Sequence, residues 1–182
     1  MPFGIYVLEG SAPATSRPHR IKPTLAEEVD ATLNQYLTAG LIQHSTSPYS
    51  SPLVVIPNKP EGVRITVNYM KLNQISRLSQ LPTPRVDQVL DSQGMGVSLF
   101  DLICSFHQIT AHKDIIHLTV FCTPTGLYQW LVLPRGSSAS PGWFVRVINE
   151  VAKGLEQVAA YLDDVIVFDS DPTAREDHAG AL

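Results

Sequence analysis

Two adjacent carboxylates, Asp163 and Asp164, lie between two apolar runs of strand-forming residues in the segment VAAYLDDVIVF (Val158–Phe168). The pattern predicts a β-hairpin with the acidic pair at its turn. Neighbouring carboxylates repel each other, and apolar surroundings disfavour their charged forms further, so a bound cation would stabilise the pair. Asp is also common in hairpin turns for backbone reasons, so this segment alone leaves both a metal site and a simple turn open.

A third carboxylate, Asp101, interrupts the apolar segment VSLFDLIC (Val97–Cys104), which is predicted to form a strand. A charge there is costly unless it is paired or metal-bound, although an exposed edge position would also accommodate it. If this strand lies beside the acidic hairpin, the carboxylates converge into a set of hard oxygen ligands that suits Mg²⁺. Such a site predicts metal-assisted phosphoryl or nucleotidyl transfer, in which two ions hold the attacking and leaving oxygens.

The elements that must position these carboxylates are a mixture of helices and hairpins, which indicates an α+β fold. The N-terminal residues 1–22 are rich in proline and are expected to form an extended lead-in. Thr24 and Glu27 match a helix capping box, and apolar residues then recur at helical spacing until Gly40.

Further elements are predicted along the rest of the chain. They are a hairpin of residues 53–56 and 63–67 with Lys59 in its loop, a short helix near 84–90, strands near 118–122 and 128–133, and a helix opened by Ser140 and Pro141. In that last helix Trp143, Val147 and Val151 recur at helical spacing, so we expect them to face a core.

Composition limits the class of protein. Of the 182 residues, 44% are hydrophobic and 16% are charged, which is typical of a folded globular protein. No apolar run is long enough to span a membrane, and the N-terminus makes a poor signal peptide. Cys104 and Cys122 are not spaced like metal ligands and are expected to be reduced thiols. We therefore expect an intracellular protein, cytoplasmic or nuclear, with no membrane partner.

Charge is unevenly distributed along the chain. The net charge is −4, and the acidic residues are concentrated in the second half, whereas the first half is slightly basic. This distribution suits a cation site beside a surface that contacts nucleic acid. A difference of this size also arises by chance.

Six segments, taken in order, resemble the reverse transcriptase domain of retroelement polymerases, in particular gypsy-type long-terminal-repeat retrotransposons. They are GLIQHSTSPYSSPLVVIPNK, RITVNYMKLN, LPTPRVDQVLD, SLFDLICSFHQI, TGLYQWLVLPRG and YLDDVIVF. A single tetrapeptide such as YLDD is weak evidence, whereas six ordered segments are specific. The resemblance implies the fingers and a partial palm of a right-hand polymerase, with an antiparallel palm sheet, packed helices and no thumb.

The resemblance also implies a division of the chain. The expected parts are the lead-in at 1–22 and the reverse transcriptase domain at 23–182, with fingers at about 23–92 and 111–133 and a palm at about 93–110 and 134–182. We expect the palm to be truncated and the thumb and RNase H regions of a parent Pol polyprotein to be missing. The chain is thus expected to be a fragment of a retrotransposon polyprotein.

The resemblance assigns the catalytic and metal-binding roles to the three carboxylates. Asp101 matches the family's first catalytic carboxylate, and Asp163 with Asp164 match its acidic pair. Asp101 and Asp163 are expected to bind two Mg²⁺ ions, with Mn²⁺ as an alternative, and Asp164 to complete the metal set in a supporting electrostatic role.

Five further residues match the family's nucleotide-binding positions. Phe106 matches the aromatic residue under the incoming sugar, whose bulk would exclude a 2′-hydroxyl and favour deoxynucleotides. Arg64 matches a basic residue that packs on the nucleotide, and Lys59 a triphosphate contact. Arg135 and Gly136 match the loop beside the nucleotide and template. Taken singly, Arg64 is equally explained as a solvated strand residue and Phe106 as part of the core.

The chain departs from the family pattern at several positions. Asn68 replaces a usual Asp, Ser105 a smaller residue, and Arg135 a usual Gln or Phe. We expect these departures to affect nucleotide affinity and loop geometry. His107 and Gln108 match the family's HQI segment and are expected to serve packing and hydrogen bonding.

The resulting hypothesis is an RNA-directed DNA polymerase domain, with dNTPs and a primed RNA or DNA template as partners. The alternative is a catalytically degenerate remnant that only binds nucleic acid or a partner protein. A third hypothesis, an RNA-dependent RNA polymerase, is disfavoured because the aromatic Phe106 would exclude ribonucleotides.

Overall fold

The computed structural model describes residues 2–58, 62–77, 96–102, 104–155, 158–161 and 164–169. Helices and mainly antiparallel strands are interspersed along these residues, which confirms the predicted α+β class. In chain order the elements are β1 (Tyr6–Val7), α1 (Pro23–Thr38), β2 (Ile42–His44), β3 (Ser51–Asn58), β4 (Gly62–Val67), α2 (Met70–Ile75), β5 (Ser76–Arg77), β6 (Gly96–Asp101), β7 (Phe121–Thr123), β8 (Gly126–Trp130), α3 (Ser140–Val151), β9 (Val158–Tyr161) and β10 (Asp164–Asp169). Short 3₁₀ helices span Ser105–Gln108 and Lys113–Leu118.

The chain divides into two compact units. The first comprises Met1–Ser79 and Phe106–Ser140, and the second comprises Gln80–Ser105 and Pro141–Leu182. The expected division into lead-in, fingers and palm stays a prediction. The helix predicted near residues 84–90 lies outside the described residues, as does Lys59.

The first unit is built on a five-stranded sheet with the strand order β2-β8-β7-β3-β4. Its neighbouring strands are antiparallel except β3 and β7, which pair in parallel at Ser51 and Phe121. The predicted hairpin is confirmed, with a longer first strand than the apolar run suggested: β3 pairs with β4 from Leu53 opposite Val67 to Asn58 opposite Gly62.

Helix α1 occupies the predicted segment, but its first turn differs from the prediction. Lys22 is the N-cap residue and makes no side-chain capping hydrogen bond, and Pro23 opens the helix. Thr24 and Glu27 therefore lie inside the helix, and the predicted capping box is wrong. Proline is favoured at the first helical position because its fixed φ suits the helix and its missing N–H loses no bond. After the helix, Gly40 has a φ of 68°, as expected for a stop.

Residues of the N-terminal segment pack within the first unit, of which the segment is a part. Strand β1 pairs with β5, and Phe3 and Ile5 are buried. Further along, Thr15 forms an isolated β-bridge with Ser50. These contacts tie the extended segment to the sheet through both backbone and apolar side chains.

Aromatic residues form part of the core of the first unit. The rings of Tyr128 and Trp130 each lie 5.6 Å from that of Phe121, and all three are buried. The buried Tyr69 donates a hydrogen bond to the Thr119 carbonyl at 2.6 Å. Burial of side chains this large contributes roughly 1.5–3 kcal/mol each.

The strands predicted near 118–122 and 128–133 exist but are displaced. Leu118 ends a 3₁₀ helix instead of starting a strand, and the hairpin is formed by β7 and β8. Local hydrogen bonds explain the difference. The imidazole of His112 accepts from the Asp114 amide at the helix start, and the Thr119 hydroxyl donates to the Ile116 carbonyl at its end.

The second unit contains a three-stranded antiparallel sheet in the order β6-β10-β9. The two strands predicted for the acidic hairpin are confirmed as β9 and β10. Asp164, predicted to lie in the turn, is instead the first residue of β10 and pairs with Tyr161. The strand predicted to reach Cys104 ends earlier, at Asp101, and Cys104 has a positive φ of 51° that a strand cannot accommodate.

Helix α3 begins at Ser140, as predicted. Trp143 is buried, but Val151 is 72% exposed, so the expectation that it faces a core is wrong. Val151 is the last residue of the helix, where the apolar face is no longer covered. Among the described residues, no helix has the length and apolar character needed to cross a membrane.

Candidate functional site

Asp101 and Asp164 lie directly opposite each other on the neighbouring antiparallel strands β6 and β10. Residues opposed in this way project from the same face of a sheet, with Cβ atoms about 4.5–5.5 Å apart. Asp101 is exposed and Asp164 is half-buried. The sheet therefore brings together two of the three predicted catalytic carboxylates.

The apolar pattern of β10 explains this register. Val165 and Val167 are buried, so the alternate residues Asp164 and Ile166 lie on the other face. A slip of one residue would move both valines out of the core and turn the carboxylate inward. Leu99, opposite Ile166 in the register, is 65% exposed on the carboxylate face.

The opposed pair has the donor chemistry of a divalent cation site. Like charges placed directly opposite are destabilising, and a cation between them would reverse the sign of the interaction. Two carboxylates leave coordination positions for water and substrate oxygens, which Mg²⁺ prefers. Asp163, the third predicted ligand, lies outside the described residues. Among the residues that are described, no group of three or more His, Cys, Asp or Glu side chains is arranged to hold a metal ion.

Phe106 and Arg135, two predicted nucleotide-binding residues, contact each other in the first unit. The Arg135 Cζ lies 5.9 Å from the centroid of the Phe106 ring, in a cation–π arrangement. Both side chains are half-buried. The Arg135 Nε is buried and has no hydrogen-bond partner in the described part of the chain.

Gly136 follows in a conformation that only glycine adopts readily. Its φ is 98°, and a Cβ on this residue would collide with the carbonyl oxygen of Val67. The loop is therefore pressed directly against the end of β4.

Asn73 of α2 holds the same loop and was not singled out from the sequence. Its amide nitrogen donates to the Gly136 carbonyl at 3.4 Å, and its amide oxygen accepts from the backbone and hydroxyl of Ser138 at 3.0 Å each. The residue stands in the segment RITVNYMKLN, but only its three-dimensional contacts reveal this role.

A cleft of about 410 Å³ opens beside this loop. Three amide side chains share its lining with apolar and aromatic residues from the ends of β4 and α2: Val67, Asn68, Tyr69, Met70, Asn73, Gln74 and Gly136. The Asn68 side chain accepts from the Met70 amide at 3.1 Å. Neutral amides suit hydrogen bonding to polar groups more than the binding of a bare ion.

Arg64 lies on β4 opposite Ile56, and its side chain is exposed. This placement is compatible with either of its two interpretations, a nucleotide contact or a solvated strand residue. Lys59, the predicted triphosphate contact, belongs to the segment that is not described.

His107 performs the packing role expected of it. Its ring stacks on Trp130 at 5.2 Å and 25° and meets the edge of Tyr36 at 5.7 Å. Burial, with the positive charge of Arg135 as a second cause, lowers the pKa of His107 from 6.5 to about 4. The imidazole is therefore uncharged at neutral pH.

Comparison with known proteins identifies matches to one family. Residues 56–182 match the family described as reverse transcriptase (RNA-dependent DNA polymerase). The chain is 33% identical over 172 residues to the Retrovirus-related Pol polyprotein from transposon 297 of Drosophila melanogaster, covering 90% of this chain and 16% of that protein. It is 33% identical over 155 residues to the Pol polyprotein from transposon opus of the same fly, covering 79% of this chain and 15% of that protein. The chain thus spans 16% or less of these relatives.

Solved structures share the fold. The native Prototype Foamy Virus protease–reverse transcriptase has a TM-score of 0.82 at 22% identity, over 97% of this chain and 24% of that one. The foamy viral protease–reverse transcriptase in complex with RNA/DNA hybrid has a TM-score of 0.84 at 22% identity, over 99% of this chain and 24% of that one. At these identities the likeness establishes the fold.

Proposed function

The chain belongs to the reverse transcriptase (RNA-dependent DNA polymerase) family, and we propose that it carries the polymerase chemistry of a gypsy-type retrotransposon Pol polyprotein. The reaction is the transfer of deoxynucleoside monophosphates from dNTPs to a primer 3′-hydroxyl on an RNA or DNA template. The observation that supports it is the opposed pair Asp101 and Asp164 on one face of the second-unit sheet.

In this reaction the primer 3′-hydroxyl loses its proton to solvent water, and its oxygen bonds to the α-phosphorus of the dNTP. The bond from that phosphorus to the bridging oxygen breaks, releasing pyrophosphate. Asp101 and Asp163, with Asp164 in a supporting electrostatic role, would hold two Mg²⁺ ions, or Mn²⁺ as an alternative. Such ions stabilise the attacking and leaving oxygens of an in-line displacement. The carboxylates supply the hard, negatively charged oxygen ligands that such ions prefer.

The first-unit residues would bind and orient the nucleotide. The ring of Phe106 would form the wall beside the sugar and exclude a 2′-hydroxyl. Arg135 would place a positive charge next to that wall. Gly136, which packs against the Val67 carbonyl because it lacks a Cβ, would hold the loop beside the nucleotide. Arg64 and Lys59 are proposed as further contacts to the nucleotide.

Nucleic acid is the proposed macromolecular partner. Relatives of the same fold have been solved in complex with double-stranded DNA and with an RNA/DNA hybrid. Duplex binding relies on many backbone contacts, so we propose that further polyprotein regions, a thumb and RNase H among them, contribute to it. We also propose an intracellular location, cytoplasmic or nuclear, which is supported by the two free cysteines.

Primer extension tests the proposal. The chain is assayed with a primed RNA template, dNTPs and Mg²⁺, beside the variants Asp101→Asn, Asp164→Asn and Asp30→Asn. We expect each of the first two variants to lose extension by about 100-fold or more, since removal of a metal carboxylate removes transition-state stabilisation. Asp30, exposed on α1, is the matched control and should keep wild-type activity.

The proposal fails if the wild-type chain shows neither Mg²⁺-dependent extension nor Mg²⁺-dependent dNTP binding. It also fails if Asp101→Asn extends primers at the wild-type rate. Circular dichroism of every variant separates a lost site from a lost fold. No feature of the described residues favours the alternative of a degenerate remnant acting only as a binding module.

A further inference from the structure

The 3₁₀ turn that carries Phe106 is anchored by its neighbour His107. The imidazole stacks on Trp130 of β8 at 5.2 Å and 25° between ring planes, and its ring meets the edge of Tyr36 of α1. Trp130 is only 2% exposed and contacts Phe121 in the core. One side chain therefore ties this turn both to the five-stranded sheet and to a helix.

A second contact approaches Phe106 from the 135–138 loop. The Arg135 guanidinium lies over the Phe106 ring with its Cζ 5.9 Å from the centroid. Its Nε is buried with no hydrogen-bond partner in the described ranges. A partly desolvated cation gains more from an aromatic face than an exposed one does. The glutamine or phenylalanine that resembling sequences usually carry here cannot make this contact.

The backbone of Arg135 is itself fixed on both sides. Before it, the Leu133 amide donates a backbone hydrogen bond to the Ile109 carbonyl at 2.8 Å, which joins the segment after β8 to the segment that follows Phe106. After it, Gly136 is bonded by Asn73 and packed against β4. The guanidinium is thus delivered to the ring by a rigid frame.

We propose that Arg135 and His107 are positioning residues that together fix the ring of Phe106, and that they thereby set the discrimination between dNTPs and ribonucleotides in this chain. His107 holds the backbone of the turn, and Arg135 covers the ring. A sugar wall excludes a 2′-hydroxyl only if it cannot move aside, because steric selection depends on rigidity. The consequence for nucleotides rests on the proposed polymerase function, whereas the positioning itself does not.

The protonation state of His107 agrees with this arrangement. Burial, and then the charge of Arg135, lower its pKa to about 4. The groups that face the imidazole are the Tyr36 ring from α1, the Trp130 ring from β8 and the Arg135 guanidinium. The ring therefore stacks as a neutral group, and the cluster carries the single positive charge of Arg135.

NMR spectroscopy of the ligand-free chain tests the positioning directly. The Arg135 side-chain protons should show an upfield ring-current shift that disappears in Phe106→Leu. Arg135→Gln should shift and broaden the Phe106 ring signals. In Arg135→Lys, which keeps a cation, the same signals should lie between those of the wild type and those of Arg135→Gln. The matched control is Arg146→Gln, which removes a cation–π contact of 5.5 Å with Trp143 in the second unit. It should leave the Phe106 signals unchanged.

Nucleotide selection tests the consequence. With Mg²⁺ and a primed template, the wild-type preference for dCTP over CTP, which differ only at the 2′ position, should fall about five- to tenfold in Arg135→Gln, through the apparent KM rather than kcat. His107→Ala should lower the preference in the same way, whereas His107→Phe, which can still stack on Trp130, should retain it.

Unchanged Phe106 signals in Arg135→Gln would overturn the inference, as would an unchanged preference for dCTP over CTP in both Arg135→Gln and His107→Ala. Failure of the polymerase proposal looks different. In that case the wild-type chain neither binds nor incorporates a nucleotide, while the NMR comparison still decides whether Arg135 and His107 fix the ring.

Discussion

Asp101 of β6 and Asp164 of β10 face each other in register, although they are distant in sequence. Each stands at the end of its strand, and both project from the face opposite the buried Val165 and Val167. A fold that places two like charges opposite each other accepts a cost in the metal-free state. A divalent cation bound between the two carboxylates would turn this repulsion into attraction. The stability of the folded chain should therefore increase when the metal binds.

The first prediction concerns this coupling. Without metal, Asp101→Asn and Asp164→Asn should each be as stable as the wild type or more stable, by about 0.2–1 kcal/mol, because a repulsion is removed. With excess Mg²⁺ the wild type should gain stability and both variants should gain less. Thermal unfolding with and without Mg²⁺ measures both effects. Asp30→Asn serves as the control, and an Asn variant that responds to Mg²⁺ like the wild type would contradict the site.

The second prediction concerns the loop at Gly136. In Gly136→Ala the new side chain must adopt an unfavourable φ of 98° and also collides with the Val67 carbonyl. In Gly40→Ala the new side chain must adopt a φ of 68° but meets no neighbouring atom. Backbone strain alone costs of order 1–3 kcal/mol, so both variants should be destabilised and Gly136→Ala by clearly more. Urea unfolding gives the two free energies. Equal losses would show that the loop does not press on β4.

The third prediction concerns the side chain that holds the loop. Asn73→Ala removes the hydrogen bonds to Gly136 and Ser138 and should lower the free energy of unfolding by about 1–3 kcal/mol. Asn34→Ala on the exposed face of α1 is the control and should change stability little. Protection of the Ser138 amide from hydrogen exchange should fall in Asn73→Ala only. If the Ser138 amide remained protected in Asn73→Ala, contacts other than those of Asn73 would hold the loop.

The fourth prediction concerns acid stability. The pKa of His107 is about 4 in the folded chain against 6.5 as its ordinary value, so between these two values the unfolded chain binds more protons. Stability should therefore fall as the pH is lowered from 6.5 towards 4, and the stabilising contribution of the neutral imidazole is fully present above 6.5.

His107→Phe keeps the stacking but cannot be protonated, so its unfolding free energy should depend less steeply on pH over this range. Chemical denaturation at several pH values measures the slopes, and His19→Phe, which is exposed, should keep the wild-type slope. Parallel slopes for His107→Phe and the wild type would contradict the buried, uncharged state of His107.

Patterns local in the sequence predicted several elements correctly. The hairpins β3–β4 and β9–β10 and the start of α3 at Ser140 follow from apolar runs bounded by turn residues, and the structure confirms them. The errors arose where two local signals competed. Thr24 and Glu27 match a capping box, which would start the helix at Leu25, but Pro23 opens the helix two residues earlier.

The strand of Asp101 shows where local reasoning stops. Its apolar residues continue to Cys104, but β6 ends at Asp101, and the positive φ of Cys104 rules out a strand at that residue. An apolar run does not by itself require a strand: beyond Asp101, Leu102 is half-buried and Cys104 is exposed. The sequence therefore located the carboxylate without locating the end of its strand.

The sequence by itself determined the family, the α+β class and the identity of the candidate carboxylates, because ordered motifs and apolar periodicity are properties of neighbouring residues. Only the tertiary structure decided that Asp101 lies opposite Asp164, that Asn73 holds the loop of Gly136, and that Arg135 covers Phe106. These relationships join residues from distant parts of the chain. Strand register and side-chain packing set them, and both depend on burying the whole core at once rather than on the preferences of any one segment.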